Sequence, residues 1–259
     1  MFPISDENPT LRTPIVTYVL IAATVFVWLF VQGAGFDDLK LIASVCNLGL
    51  VPGELTGQAK LGTAVPMGRG VACVVDADPI NLWTPLTSMF LHGGWAHILG
   101  NLAFMWVFGN NVEDSMGRLR FVVFYLVCGI AAAAAQVAVG PDSPIPMVGA
   151  SGAISGVLGA YLVLYPRVRV NVLIIIVIFV QVIALPAYFM LLWWIGWQIL
   201  SGLPQLGGAS KASGGTAFWA HIGGFVAGVV LIKLFAKKEL VELHRRGRHP
   251  SRRAGWHFP

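Results

Sequence analysis

Residues 149–165 read Gly-Ala-Ser-Gly-Ala-Ile-Ser-Gly-Val-Leu-Gly-Ala-Tyr-Leu-Val-Leu-Tyr. No charge interrupts the stretch, and its first half is almost all small residues. A helix over Ser151–Tyr165 is only ~22 Å long at 1.5 Å per residue, shorter than the ~30 Å of hydrocarbon in a bilayer. Glycine weakens a helix in water, but membrane helices use it to approach one another closely. Gly152, Gly156 and Gly159 recur about one turn apart. The stretch therefore reads as a close-packed membrane helix whose start is sunk below the surface. Ser151 then stands at a helix N-terminus, where free N–H groups and the helix dipole favour negative charge. An N-cap serine beside a packing face would look the same.

The rest of the chain sets the frame. It has 259 residues, 56% hydrophobic and 11% charged, with a mean hydropathy of +0.75. A soluble domain carries roughly 25% charge, so a soluble enzyme, a secreted scaffold and a disordered chain are all excluded. The expected fold is an all-α polytopic membrane protein. Its spans are Pro14–Val31, Trp95–Gly109, Phe121–Val139, Ser151–Tyr165, Pro186–Gly202 and Thr216–Ile232. A long outer loop covers 32–94, within a membrane domain of 14–235. The flanking pieces are a cytoplasmic N-terminus, 1–13, and a basic cytoplasmic tail, 236–259.

Val170–Gly202 is apolar throughout and broken at Pro186, so it can hold one crossing or two. With one crossing, only Lys40, Lys60, Arg69 and Lys211 of the 17 Lys and Arg residues fall outside. Two crossings would put the basic tail outside, against the positive-inside bias. Val170–Leu185 is then expected to lie at the interface, or to dip in and return with its backbone satisfied by protein. The net charge of +5 follows membrane topology and calls for no nucleic-acid partner. The tail Lys237–Arg253 reads as an anchor to anionic lipid. Met1–Thr13 carries Asp6, Glu7 and Arg12 and lacks the bias of a signal or transit peptide. That favours a bacterial inner membrane.

In this topology spans 2, 4 and 6 all run from outside to inside. Their polar residues fall near their starts: His97 and Asn101, Ser151, and His221. Ionisable groups at such a depth face a protein interior or a water-filled cavity. His221 lies one turn above the pair Gly224 and Gly228, which permits close approach to the glycine face of span 4. That approach would bring His221 within hydrogen-bond reach of Ser151. A neutral histidine can take a serine's proton and return it to a leaving amine. His97 and Asn101 share one helix face and can donate N–H groups to an oxyanion, alongside the Ser151 backbone N–H. No carboxylate lies within the spans near His221, so the economical arrangement is a Ser–His dyad.

From Pro14 to about Ile232 the chain resembles the rhomboid intramembrane serine proteases. Their Gly-x-Ser-Gly motif matches Gly149-Ala150-Ser151-Gly152, and their Ala-His-x-x-Gly-x-x-x-Gly motif matches Ala220, His221, Gly224 and Gly228. The histidine–asparagine pattern of span 2 matches His92, His97 and Asn101. The resemblance implies Ser151 as nucleophile, His221 as base, and His97 and Asn101 as oxyanion donors beside Gly149. It implies a structural role for His92 in the first loop, and a helix-packing role for Glu113, which a solvated inner charge would equally fit. Two departures stand out. Trp83-Thr84 replaces the family's Trp-Arg, and Ser155 replaces a tyrosine that many members stack on the base. What orients His221 is therefore open.

The implied substrates are single-span membrane proteins cut near the outer face, with small residues favoured at the cut. Pro186–Leu203, with Trp193, Trp194 and Trp197, is a candidate lateral gate or a lipid-facing belt. The alternatives are a rhomboid-like pseudoprotease and a polar-cavity transporter. Retention of both Ser151 and His221 argues against the first. The lack of an inverted repeat and of a mid-membrane carboxylate argues against the second. No His-Glu-x-x-His is present, and no metal or organic cofactor is implied. Cys46 and Cys73 share the outer loop and can pair in an oxidising space, leaving Cys128 free.

Overall fold

The computed structural model describes residues 2–68, 70–176, 179–206 and 216–248. Arg69, Lys211, Arg252 and Arg253, counted above for topology, lie outside the described residues. In chain order the elements are β1 (Phe2–Asp6), α1 (Ile15–Phe26), α2 (Asp38–Leu48), α3 (Pro52–Thr56), β2 (Ala64–Gly68), β3 (Val71–Val74) and α4 (Thr84–Thr87). They continue with α5 (Trp95–Phe104), α6 (Asn110–Met116), α7 (Arg118–Val139), α8 (Ser151–Leu164), β4 (Arg169–Ile176), β5 (Phe179–Pro186), α9 (Ala187–Leu206), α10 (Phe218–Phe235) and α11 (Lys238–Arg248).

Helix occupies each of the six apolar stretches. Among the described residues two helices, α7 and α10, are long and apolar enough to cross a membrane by themselves. Helix α8 is the hub, with Gly152–Tyr161 wholly buried between α7 and α10. Glycine allows this. A Cβ on Gly224 would strike the carbonyl of Gly152, and one on Gly228 would strike the carbonyl of Gly156. On the other side, a Cβ on Gly156 would strike Cys128 of α7. The helices thus meet backbone to backbone, and that contact sets the distance between the first turns of α8 and α10.

The all-α expectation is incomplete. Val170–Leu185 forms an antiparallel hairpin, β4 against β5, paired from Arg169↔Pro186 to Ile176↔Phe179. The segment is rich in Val and Ile, which pack well on a pleated surface. Pairing satisfies much of the backbone that a re-entrant loop would leave bare. The N-terminal strand β1 adds to the other edge of β4, with Asp6 opposite Val170. A second, two-stranded sheet, β2–β3, lies in the outer loop, and a Cys46–Cys73 disulfide ties β3 to α2. Cys128 is free and buried.

The two terminal segments are also not free. Leu11 N–H and Arg12 Nε donate to the Asp114 carboxylate at 2.6 and 3.0 Å. His244 of α11 is 1% exposed and lies 3.0 Å from Asn8 Oδ1 through its Nε2. The first turn of α1 is capped by Glu113, whose carboxylate accepts from Val16 N–H, Thr17 N–H and Thr17 Oγ1 at 2.8–3.1 Å. Of the two roles open to Glu113, this is the helix-packing one.

Candidate active site

Three helix starts converge on one cavity of about 730 Å³. Helix α5 begins directly after Gly93-Gly94 and carries His97 and Asn101, one turn apart. Helix α8 begins at Ser151. Helix α10 carries His221 in its first turn, and Gln136 of α7 steadies that turn by accepting the Ala220 N–H at 3.2 Å. His97, Asn101, Ser151, Trp194 and His221 all line the cavity.

Ser151 Oγ lies 2.7 Å from His221 Nε2. The other ring nitrogen, Nδ1, lies 2.8 Å from Gln198 Oε1 of α9. An amide oxygen only accepts, so Nδ1 carries the proton and Nε2 offers its lone pair to the Ser151 hydroxyl. The Trp194 ring stands 5.8 Å from the imidazole, centroid to centroid, at 39°. Ser155, where the family tyrosine would stand, instead donates back to the Ser151 carbonyl at 2.6 Å, a common use of serine inside a helix. The support around His221 therefore comes from α9, through Trp194 and Gln198, and sequence reasoning missed Gln198. A signal was present: it is the sole amide side chain in Pro186–Gly202, four residues after Trp194 and so on the same helix face.

His97 Nδ1 accepts the Gly93 N–H at 3.4 Å, so its Nε2 carries the proton and points toward Gly149. Gly149 has φ +131°, and a Cβ there would come within 2.7 Å of His97 Nε2. Only glycine serves at this position, for both reasons. Asn101 Nδ2 lies 2.8 Å from His92 Nε2, so the His92 ring accepts, and a second Asn101 N–H remains for the cavity. Burial first, and the neighbouring His97 second, hold the His92 pKa down to about 3. The ring is neutral, as an acceptor must be. Gln32 bridges the His92 carbonyl and N–H at 2.9 and 2.8 Å, which fixes the loop ahead of α5. Thr84, in place of the family arginine, is buried and bonds the Asn81 carbonyl at 2.7 Å. Among the described residues no cluster of three metal-ligating side chains occurs.

Fold and cavity together define a helical-bundle protein with a serine–histidine pair enclosed between apolar helices. A family model described as the Rhomboid domain matches residues 79–238, more than half of the chain, and the chain belongs to the rhomboid family. It is 39% identical over 104 residues to "Rhomboid protease GluP" of Bacillus subtilis (strain 168), covering 37% of this chain and 20% of that protein. It is 27% identical over 164 residues to "RHOMBOID-like protein 5" of Arabidopsis thaliana, covering 60% and 53%. It is 29% identical over 180 residues to "RHOMBOID-like protein 4" of the same plant, covering 68% and 39%. The chain thus spans about half, or less, of the length of these curated relatives.

Proposed function

We propose that the chain is an intramembrane serine endopeptidase that cuts the transmembrane segments of single-span proteins near the outer membrane face. One observation carries the reading: the 2.7 Å contact between Ser151 Oγ and an unprotonated His221 Nε2, opening into a cavity between apolar helices. Family membership and the name of the Bacillus relative support it. In this reading the six apolar helices cross the bilayer, with both termini on the inner, positively charged side. The cavity opens to the outside.

Ser151 Oγ attacks the scissile carbonyl carbon while His221 Nε2 takes the hydroxyl proton. The oxyanion of the tetrahedral intermediate receives N–H groups from His97 Nε2, Asn101 Nδ2 and the first turn of α8. As the intermediate collapses, the imidazolium gives its proton to the leaving amine and an acyl-serine remains. Water then attacks that ester with His221 again as base, the carboxyl product leaves and the serine is restored. Substrate helices must unwind before their amides are accessible, so Gly or Pro near the cut lowers the cost.

The test is cleavage, by purified protein in bilayers, of a reporter with a Gly/Ala-rich transmembrane segment. Ser151→Ala and His221→Ala should each abolish it while leaving the protein folded. Cutting at the parental rate by either variant would overturn the assignment.

A further inference from the structure

The geometry points to Gln198 as a positioning residue, the uncharged third member of a Ser151–His221–Gln198 relay; this rests on the protease reading. Three observations carry it. First, Gln198 Oε1 sits 2.8 Å from His221 Nδ1, at the nitrogen opposite the one that meets Ser151. Second, both partners are buried, Gln198 at 7% and His221 at 9% exposure. In such a place an unpaired Nδ1–H costs more than it would in water. Third, among the described residues no carboxylate is recorded as a hydrogen-bond partner of His221.

A neutral imidazole has two tautomers, and only the one protonated on Nδ1 can accept the Ser151 proton at Nε2. An acceptor fixed at Nδ1 selects that tautomer and aims the ring, which is what the aspartate of a three-member site does. An amide oxygen does this without burying a charge. It stabilises the imidazolium less than a carboxylate would, so its main service is orientation. Trp194, one turn earlier on α9, limits ring rotation from the face. Tautomer and tilt of the base are thus both set by α9, a different helix from those bearing Ser151 and His221.

The experiment uses the full chain in lipid nanodiscs with ring-¹⁵N-labelled histidine, comparing the parental protein with Gln198→Met and Gln198→Glu. Methionine keeps length and bulk but removes the acceptor; glutamate keeps an acceptor. His221 is assigned by the signals lost in His221→Ala, and reporter cleavage is followed on the same samples. The parental ring should be a single Nδ1–H tautomer. Gln198→Met should give a tautomer mixture and lower kcat about tenfold, the scale of one buried hydrogen bond, with KM unchanged and only a small fall in melting temperature. Gln198→Glu should keep the Nδ1–H tautomer and most of the turnover. An unchanged tautomer in Gln198→Met, or a lost tautomer with parental kcat, would overturn the role given to Gln198. A parental protein that leaves the reporter intact would instead overturn the protease reading, while the tautomer comparison still decides whether Gln198 holds His221.

Discussion

Among the described residues two polar clusters stand at opposite ends of the helix bundle, inner and outer in the proposed topology, and they differ in kind. The inner cluster joins Asp6, Asn8, Arg12, Asn111, Asp114, Tyr161 and His244 by mutual bonds. Tyr161 donates to Asp6 and Arg12 to Asp114, and His244 meets Asn8. Among the described residues, Asn8 Nδ2 and Asn111 Oδ1 are the buried side-chain atoms of this cluster without a partner. Most of its bonding capacity is turned inward, and it clasps the two terminal segments to the bundle. The outer cluster, at Ser151, His221, His97 and Asn101, leaves capacity over: all four residues line a cavity, and the bonds described above leave the His97 Nε2–H and a second Asn101 N–H for it. Buried polarity alone therefore does not mark a reaction site. The mark is a set of oriented donors and a base around a space that a substrate can enter.

Substitutions at the two ends should separate activity from stability. Gly224→Leu should have the largest effect, because its side chain must displace the Gly152 carbonyl. We expect loss of cleavage together with about 3 kcal/mol of stability, read by reporter turnover and thermal melting. Asn101→Ala should slow turnover about 10²-fold, the usual cost of one oxyanion donor. Its stability loss should be near 1 kcal/mol for the His92 bond. Unchanged turnover would remove Asn101 from the site. Glu113→Ala strips the cap from α1 and should cost about 2 kcal/mol while leaving turnover per folded molecule intact. His244→Ala should show the smallest effect, about 1 kcal/mol, again without loss of turnover. A drop in kcat from either inner variant at constant folded fraction would break the comparison, since it would tie the closed cluster to the chemistry.

Much of the helical frame was legible because uncharged apolar runs and glycine pairs act locally. The spacing of Gly224 and Gly228, together with the small face of α8, is enough to place Ser151 beside His221. The β4–β5 hairpin was not legible as such: an apolar run of that length reads equally as buried strand or buried helix. The inner cluster was hidden for another reason. Asp6, Arg12 and His244 sit in charged terminal segments that resemble solvated tails, and Arg12 and Asp114 meet across 102 residues. Gln198 lay in plain view, but its meaning depends on how α9 is rotated about its axis, which a uniformly apolar helix does not encode.

The most direct test of the central claim is labelling of the full chain, in bilayers, with a fluorophosphonate probe and mapping of the adduct by mass spectrometry. The account predicts a single adduct on Ser151, lost in Ser151→Ala and strongly reduced in His221→Ala. An adduct on another serine that persists in Ser151→Ala would contradict it.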